Sequence, residues 1–191
     1  MLAQKLSVKL FADNPADVQL AGFIPIFHSW IQESRLPGRL LIDVADYRHV
    51  AGGPGIVLIG HEAHYALDSE HGPLGLECVR QRDEPGPLED KLVDGFRDAL
   101  AACGHLEEAP TRPIRFRTDR ARVAILSRRF ATGGLETWEA ARPALEAFAA
   151  RLYAGLAVRF EPSADLRAPF TVEIEAPGAP GLPALLARLS A

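Results

Sequence analysis

Residues 61–71 hold three histidines, two glutamates and an aspartate: His61, Glu62, His64, Asp68, Glu70 and His71. Imidazole and carboxylate at close spacing are the groups that bind zinc or move protons. The zinc-hydrolase pattern His-Glu-x-x-His needs two histidines four apart on a helix, so that both rings face one way. Here His61 and His64 are three apart and follow the β-branched run "GIVLI" at 55–59. Side chains of a strand alternate between faces. One strand over 55–67 would put Val57, Ile59, His61, Ala63 and Tyr65 on one face and Leu58, Gly60, Glu62, His64 and Ala66 on the other. The two imidazoles then diverge, and only a bulge or a strand end after Gly60 would bring them round. No metal site and no cofactor are expected on this ground.

A cross-strand constellation is the better candidate. "DVADYRH" carries Asp43, Asp46, Tyr47 and His49. Simple antiparallel pairing of 39–47 with 55–67, turning near Gly52, sets Asp46 opposite Leu58 and Asp43 opposite His61. A carboxylate beside an imidazole fixes its tautomer and raises its basicity. The same pair can also merely satisfy itself across a sheet. The candidate catalytic set is therefore Asp43, Asp46, His61, Glu62 and His64, with His49 and Tyr65 as candidate ligand contacts.

Seven arginines lie between Arg112 and Arg129 against one acid, Asp119. If 113–129 is a hairpin breaking at Thr118-Asp119, Arg115 and Arg117 share a face, as do Arg120 and Arg122. These four are candidate anion contacts; the alternative is a solvated face whose arginine stems cover apolar surface. Nucleic acid is not the expected partner, since the net charge is −4 and aromatics near the run are few. "GGPG" at 52–55 lies between two strands and lacks the helix N-terminus of a phosphate loop. Cys78 and Cys103 sit on apolar faces with no Cys-x-x-Cys motif, and no Gly-x-Ser-x-Gly elbow is present.

These residues need elements to hold them. "KLSVKLFAD" (5–13) alternates as a strand with one buried face. Residues 18–36 have helical spacing, with Pro25 either in the first turn or at a kink, and Pro37-Gly38 as the stop. Strands are expected at 39–47, 55–67 and 73–81, and the clearest helix at 86–104, where Pro87, Glu89 and Asp90 suit its N-terminal end. After the arginine hairpin come a helix over 135–155 interrupted by Pro143, strands at 156–163 and 170–177, and a Gly/Pro hinge leading to a short last helix at 177–191. The order β-α-β-β-β-α, then β-β-α-β-β-α, predicts an α+β fold: an antiparallel or mixed sheet with helices on one face, ferredoxin-like or built from two related lobes. The domain is 1–176, with lobes at 1–106 and 112–176.

At 191 residues, 48% hydrophobic and 24% charged, the chain can fold without staples. Two cysteines make no disulfide framework, no signal peptide is visible, and no apolar run reaches membrane-spanning length. A soluble cytoplasmic protein without a membrane partner is expected. Three lysines against 18 arginines, with abundant Ala, Gly and Pro, read as a GC-rich bacterial coding sequence.

The block "LLIDVADYRHVAGGPGIVLIGHEAHYALD" (40–68) resembles a family of uncharacterised bacterial proteins, most clearly over "LIDVADY" and "LIGHEAHY". That resemblance implies no activity, cofactor or catalytic residue. The functional expectation is a binding or accessory module with a small-molecule or protein partner, or self-association. The alternative is a hydrolase, with or without metal assistance, built on the acids and histidines of 39–47 and 55–67.

Overall fold

The computed structural model describes residues 5–69, 72–81, 86–109, 114–126, 134–165 and 167–190. Eight strands form one sheet: β1 (Leu6–Ala12), β2 (Leu41–Asp46), β3 (Ile56–Gly60), β4 (Ala63–Asp68), β5 (Gly75–Arg80), β6 (Phe116–Ile125), β7 (Arg159–Pro162) and β8 (Phe170–Glu175). Their order is β2-β3-β4-β5-β1-β6-β8-β7, and every adjacent pair is antiparallel. Four helices, α1 (Phe23–Glu33), α2 (Leu88–Glu107), α3 (Leu135–Tyr153) and α4 (Leu182–Ser190), share one continuous core with one face of the sheet. The α+β class is thus the observed one, and the sheet is antiparallel rather than mixed.

Strand count agrees with the sequence pattern, but two strands are distributed differently. Residues 55–67 are not one strand. They fold back at His61-Glu62, so Ile59 pairs with His64 and Leu58 with Tyr65. Gly60 makes the fold-back sterically feasible: a Cβ there would lie 2.5 Å from the Ala63 carbonyl oxygen. Conversely, the described part of 113–129 is a single ten-residue strand. Thr118-Asp119 is an irregularity rather than a turn: between the Leu10–Ala121 and Ala12–Phe116 pairs, four β6 residues face Phe11 alone.

The helices follow their apolar stripes. Pro25 sits in the first turn of α1, where its missing N–H has no partner to lose. Ser34, in the left-handed conformation at φ 50°, ends α1 before Pro37-Gly38 is reached. Pro143 does not interrupt α3, because Ala141, Leu145, Phe148, Ala149 and Leu152 are buried on both sides of it and hold the axis. α4 buries Leu182, Leu185 and Leu189 against α2 and α3, and so belongs to the main core.

β1 also departs from the single buried face its alternation implies. Leu6, Val8 and Leu10 face the helices, yet Ser7, Lys9 and Phe11 on the opposite face are buried too. On that face a row of charges crosses the sheet in register: Glu77, Lys9, Arg122, Glu173 and Glu161.

Candidate functional site

The structure places the predicted catalytic residues on separate parts of the sheet. The β2–β3 hairpin is centred on residue 51 rather than Gly52, so Asp43 lies opposite Ile59, not His61, and Asp46 opposite Ile56, not Leu58. Asp43 is exposed and accepts a hydrogen bond from the Val44 N–H at 2.8 Å. Asp46 accepts from Arg48 Nη2 at 2.6 Å and from the Arg48 backbone N–H at 3.1 Å. Those bonds hold its carboxyl down at about 2, which removes it as a proton donor near neutrality. His49 is exposed in the same turn.

His61 and Glu62 are the β3–β4 turn, and their neighbourhood ties that turn to the flanking strands. The His61 N–H donates to the Leu40 carbonyl at 2.8 Å, while the Leu40 N–H donates to Glu62 Oε2 at 3.1 Å. The Gln81 N–H donates to the Glu62 carbonyl at 2.8 Å. His64 faces away from the helices, half-buried, with Nδ1 accepting from the Gly60 N–H at 3.4 Å. Among the described residues, no group of three His, Cys, Asp or Glu side chains is arranged to hold a metal ion.

The arginines have partners as well. Arg115 Nη1 donates to the Glu107 carbonyl at 3.1 Å, and Arg117 pairs with Asp119 at 2.9 Å. Arg120 and Arg122 share a face, as expected, and grip Glu173 at 2.8 and 2.7 Å while stacking over Phe11. Burial opposes ionisation of Glu173, but the two guanidiniums outweigh it and hold its carboxyl below the usual range. Arg112, Arg128 and Arg129 lie outside the described residues. Cys78 and Cys103 are buried and free, and burial pushes both thiols well above their ordinary value, away from nucleophilic use.

Tyr65 is different. The β3–β4 turn reverses the phase of the alternation, so Ala63, Tyr65 and Leu67 join Ile56 and Leu58 on the helix face. Tyr65 is 1% exposed, and its hydroxyl has no hydrogen-bond partner, the only such buried side-chain atom among the described residues. A buried donor without a partner costs about 1–3 kcal/mol. Burial drives the phenol well above its ordinary value, so it remains a donor.

The Tyr65 side chain lines a cavity of about 260 Å³. Leu36, Pro37 and Arg39, from the α1–β2 connection, form one wall; Arg97, Asp98 and Ala101 of α2 form the second; Leu186 and Ser190 of α4 form the third. Asp98, 7% exposed, stands between two guanidiniums. Arg39 Nε donates to its Oδ1 at 2.9 Å, and Arg80 Nη1 donates to its Oδ2 at 2.8 Å. Arg80 reaches this carboxylate from the end of β5, opposite Ala63. Arg97 pairs with Asp94 at 2.8 Å and donates to the Leu189 carbonyl at 2.7 Å, which fixes α4 to α2.

A larger cleft of about 570 Å³ lies between α3 and β7, lined by Trp138, Arg142, Glu146 and Phe160 among others. Two of its charged groups pair with each other: Arg142 lies 2.7 Å from Glu146 and sits over the Trp138 ring. No buried, unpartnered donor faces it, so the smaller cavity is the better candidate.

No protein-family model, curated protein or solved structure matches this chain significantly. The site is therefore read from its own geometry. Tyr65 is among the candidate ligand contacts that the sequence marks. Arg39, Arg80 and Asp98 are not, because three isolated charged residues on a loop, a strand end and a helix carry no local pattern. One signal was available: Asp98 lies two residues from Phe96 and Leu100 in the apolar half of its helix, where an acid needs a cation.

Proposed function

We propose that this chain is a binding module for a small molecule, held in the cavity between Tyr65, α2 and α4. The observation that carries the reading is Tyr65, a residue that lines the cavity and whose buried hydroxyl has no partner. Natural cores pair their buried donors, so an exception is a place to look for a further bound group. Convergence of a few polar groups with an apolar remainder is the usual composition of a ligand pocket. Leu36, Pro37, Ala101 and Leu186 supply the apolar part here.

The chain has no helix among the described residues long and apolar enough to cross a membrane. Two free, buried cysteines fit a reducing compartment, and we place the protein in the cytoplasm on that basis. The test is a thermal-shift screen of small polar and apolar fragments against the wild-type chain and Tyr65→Phe. Stabilisation by a fragment that is weakened in Tyr65→Phe supports the cavity as the site. Fragments that stabilise both proteins equally would place binding elsewhere, and no stabilisation by any fragment would sink the reading.

A further inference from the structure

We infer that the cleft between α3 and β7 is a second binding site, and that its ligand is a planar heterocycle with a lactam edge. The site is separate from the Tyr65 cavity and does not rest on that reading.

The walls come first. At about 570 Å³ the cleft has the size of a small-molecule site, about 300–1,000 Å³. The rings of Trp138 and Phe160 lie 5.9 Å apart at 46°, and both side chains are only half-buried. Ala149, Leu156 and Val158 continue the apolar lining. Two half-buried rings set as a wedge offer faces and edges to a further ring, and aromatic contacts add attraction beyond the area they bury. An extended chain fits less well. β7 is the edge of the sheet here, but it is four residues long, carries Arg159 and Glu161 exposed, and ends in Pro162. Short length, charge and proline all discourage an added strand.

The polar rim sets the edge of the ligand. The Arg142 guanidinium carbon lies 5.9 Å from the centre of the Trp138 ring, so its charged end is at the cleft. Arg142 Nε donates to Glu146 Oε1 at 2.7 Å, the only hydrogen bond of either head group among the described residues. The Nη hydrogens of Arg142 and Oε2 of Glu146 therefore keep capacity for a ligand. A donor and an acceptor stand side by side, and their complement is a carbonyl next to an N–H, the edge of a lactam. Charge agrees with a neutral ligand. Arg142 and Glu146 cancel, and Arg159 has Glu175 at 3.8 Å, so neither an anion nor a cation meets an unbalanced opposite charge.

The experiment is NMR titration of the full chain with 2-quinolone, N-methyl-2-quinolone and an oligouridylate. The chain has two tryptophans: Trp30, 3% exposed, and Trp138 in the cleft. Their indole N–H signals, assigned with Trp30→Phe and Trp138→Phe, report where a probe binds. The expected result is a saturable shift of the Trp138 signal by 2-quinolone, with Trp30 unmoved. N-methyl-2-quinolone keeps the rings and the carbonyl but has no N–H, and should bind roughly three- to tenfold more weakly, the net worth of one hydrogen bond. Glu146→Ala, at an exposed helix position, should bring 2-quinolone down to its N-methyl analogue and leave the analogue unchanged. Equal binding of the two quinolones by the wild-type chain would overturn the lactam assignment. A shift at Trp30 alone, or at neither signal, would remove the site. The oligouridylate carries the same edge on a polyanion and should bind no better than 2-quinolone; a preference for it would make the ligand a nucleic-acid base and overturn the small-molecule assignment.

Discussion

Lys9 Nζ lies 2.7 Å from Asp68 Oδ2, and the two residues belong to strands that do not touch, because β5 runs between β1 and β4. The pair crosses β5 diagonally: Lys9 is registered with Glu77 and Asp68 with Gly75. Both side chains are within 2% of full burial. Breaking a buried ion pair by removing one member costs about 3–5 kcal/mol, whereas replacing both with apolar groups of similar volume is often near neutral. Lys9→Met and Asp68→Leu should each be strongly destabilising in urea titrations. The double variant should recover most of that loss. A double variant no better than the worse single would show that the pair does not act as a unit.

Gly75 lies on the path of that ion pair and lets β5 approach β1. A Cβ at this position would come within 2.4 Å of the Leu10 carbonyl oxygen, a backbone atom that cannot swing aside. Gly75→Ala should therefore destabilise the protein by about 1–3 kcal/mol, the usual cost of overpacking. Gly104→Ala is the control, since nothing lies within 4 Å of its Cβ direction; on helix propensity alone it should gain up to about 1 kcal/mol. Equal effects of the two in denaturant titration would contradict the contact.

Tyr65→Phe gives an unusual expectation for a buried tyrosine. With no bond to lose, the unliganded protein should gain stability or stay within about 0.5 kcal/mol of wild type, as read from chemical denaturation. A loss well beyond that would mean that the hydroxyl is satisfied inside the protein, and the cavity would forfeit its main polar anchor.

Asp46 sets a pH expectation. The Arg48 side chain and backbone N–H lower its carboxyl from the ordinary value to about 2 in the folded state. The sign follows from linkage: a depressed carboxyl adds stability that is complete above its unfolded value near 4 and is lost as pH falls through about 2. Arg48→Ala should return the NMR titration midpoint of Asp46 toward 4. A midpoint near 4 already present in wild type would break the assignment of these two residues.

Much of the architecture was legible because it rests on short-range patterns. Leu6, Val8 and Leu10 mark β1 by alternation, and Leu88, Leu92, Phe96 and Leu100 mark α2 by helical spacing. The failures have local causes. Gly60 reads as one more residue of a β-branched run, yet it is where the backbone must come within touching distance of Ala63 to turn. Thr118-Asp119 carries turn chemistry that long-range pairing with β1 and β8 overrides. A hairpin centred one residue earlier than Gly52 moved Asp43 by two positions, and in a loop with several turn-forming residues no single one fixes the centre. The candidate site was least legible of all. Arg39, Tyr65, Arg80 and Asp98 meet only because β4, β5 and α2 pack together, a fact held by the tertiary fold rather than by any window of sequence.

The two longest strands of the sheet, β1 and β6, are also the seam at which its halves join, through six registered pairs from Leu6–Ile125 to Ala12–Phe116. A cut in the connection between α2 and β6 would leave two fragments, each ending its sheet in a long, raw edge, one carrying Leu6, Val8 and Leu10 and the other Val123, Ala124 and Ile125. Such edges recruit other strands. Expressed alone, each fragment should aggregate. Expressed together, each should be the other's natural cap, which makes this connection a suitable place to split the protein into a complementation pair.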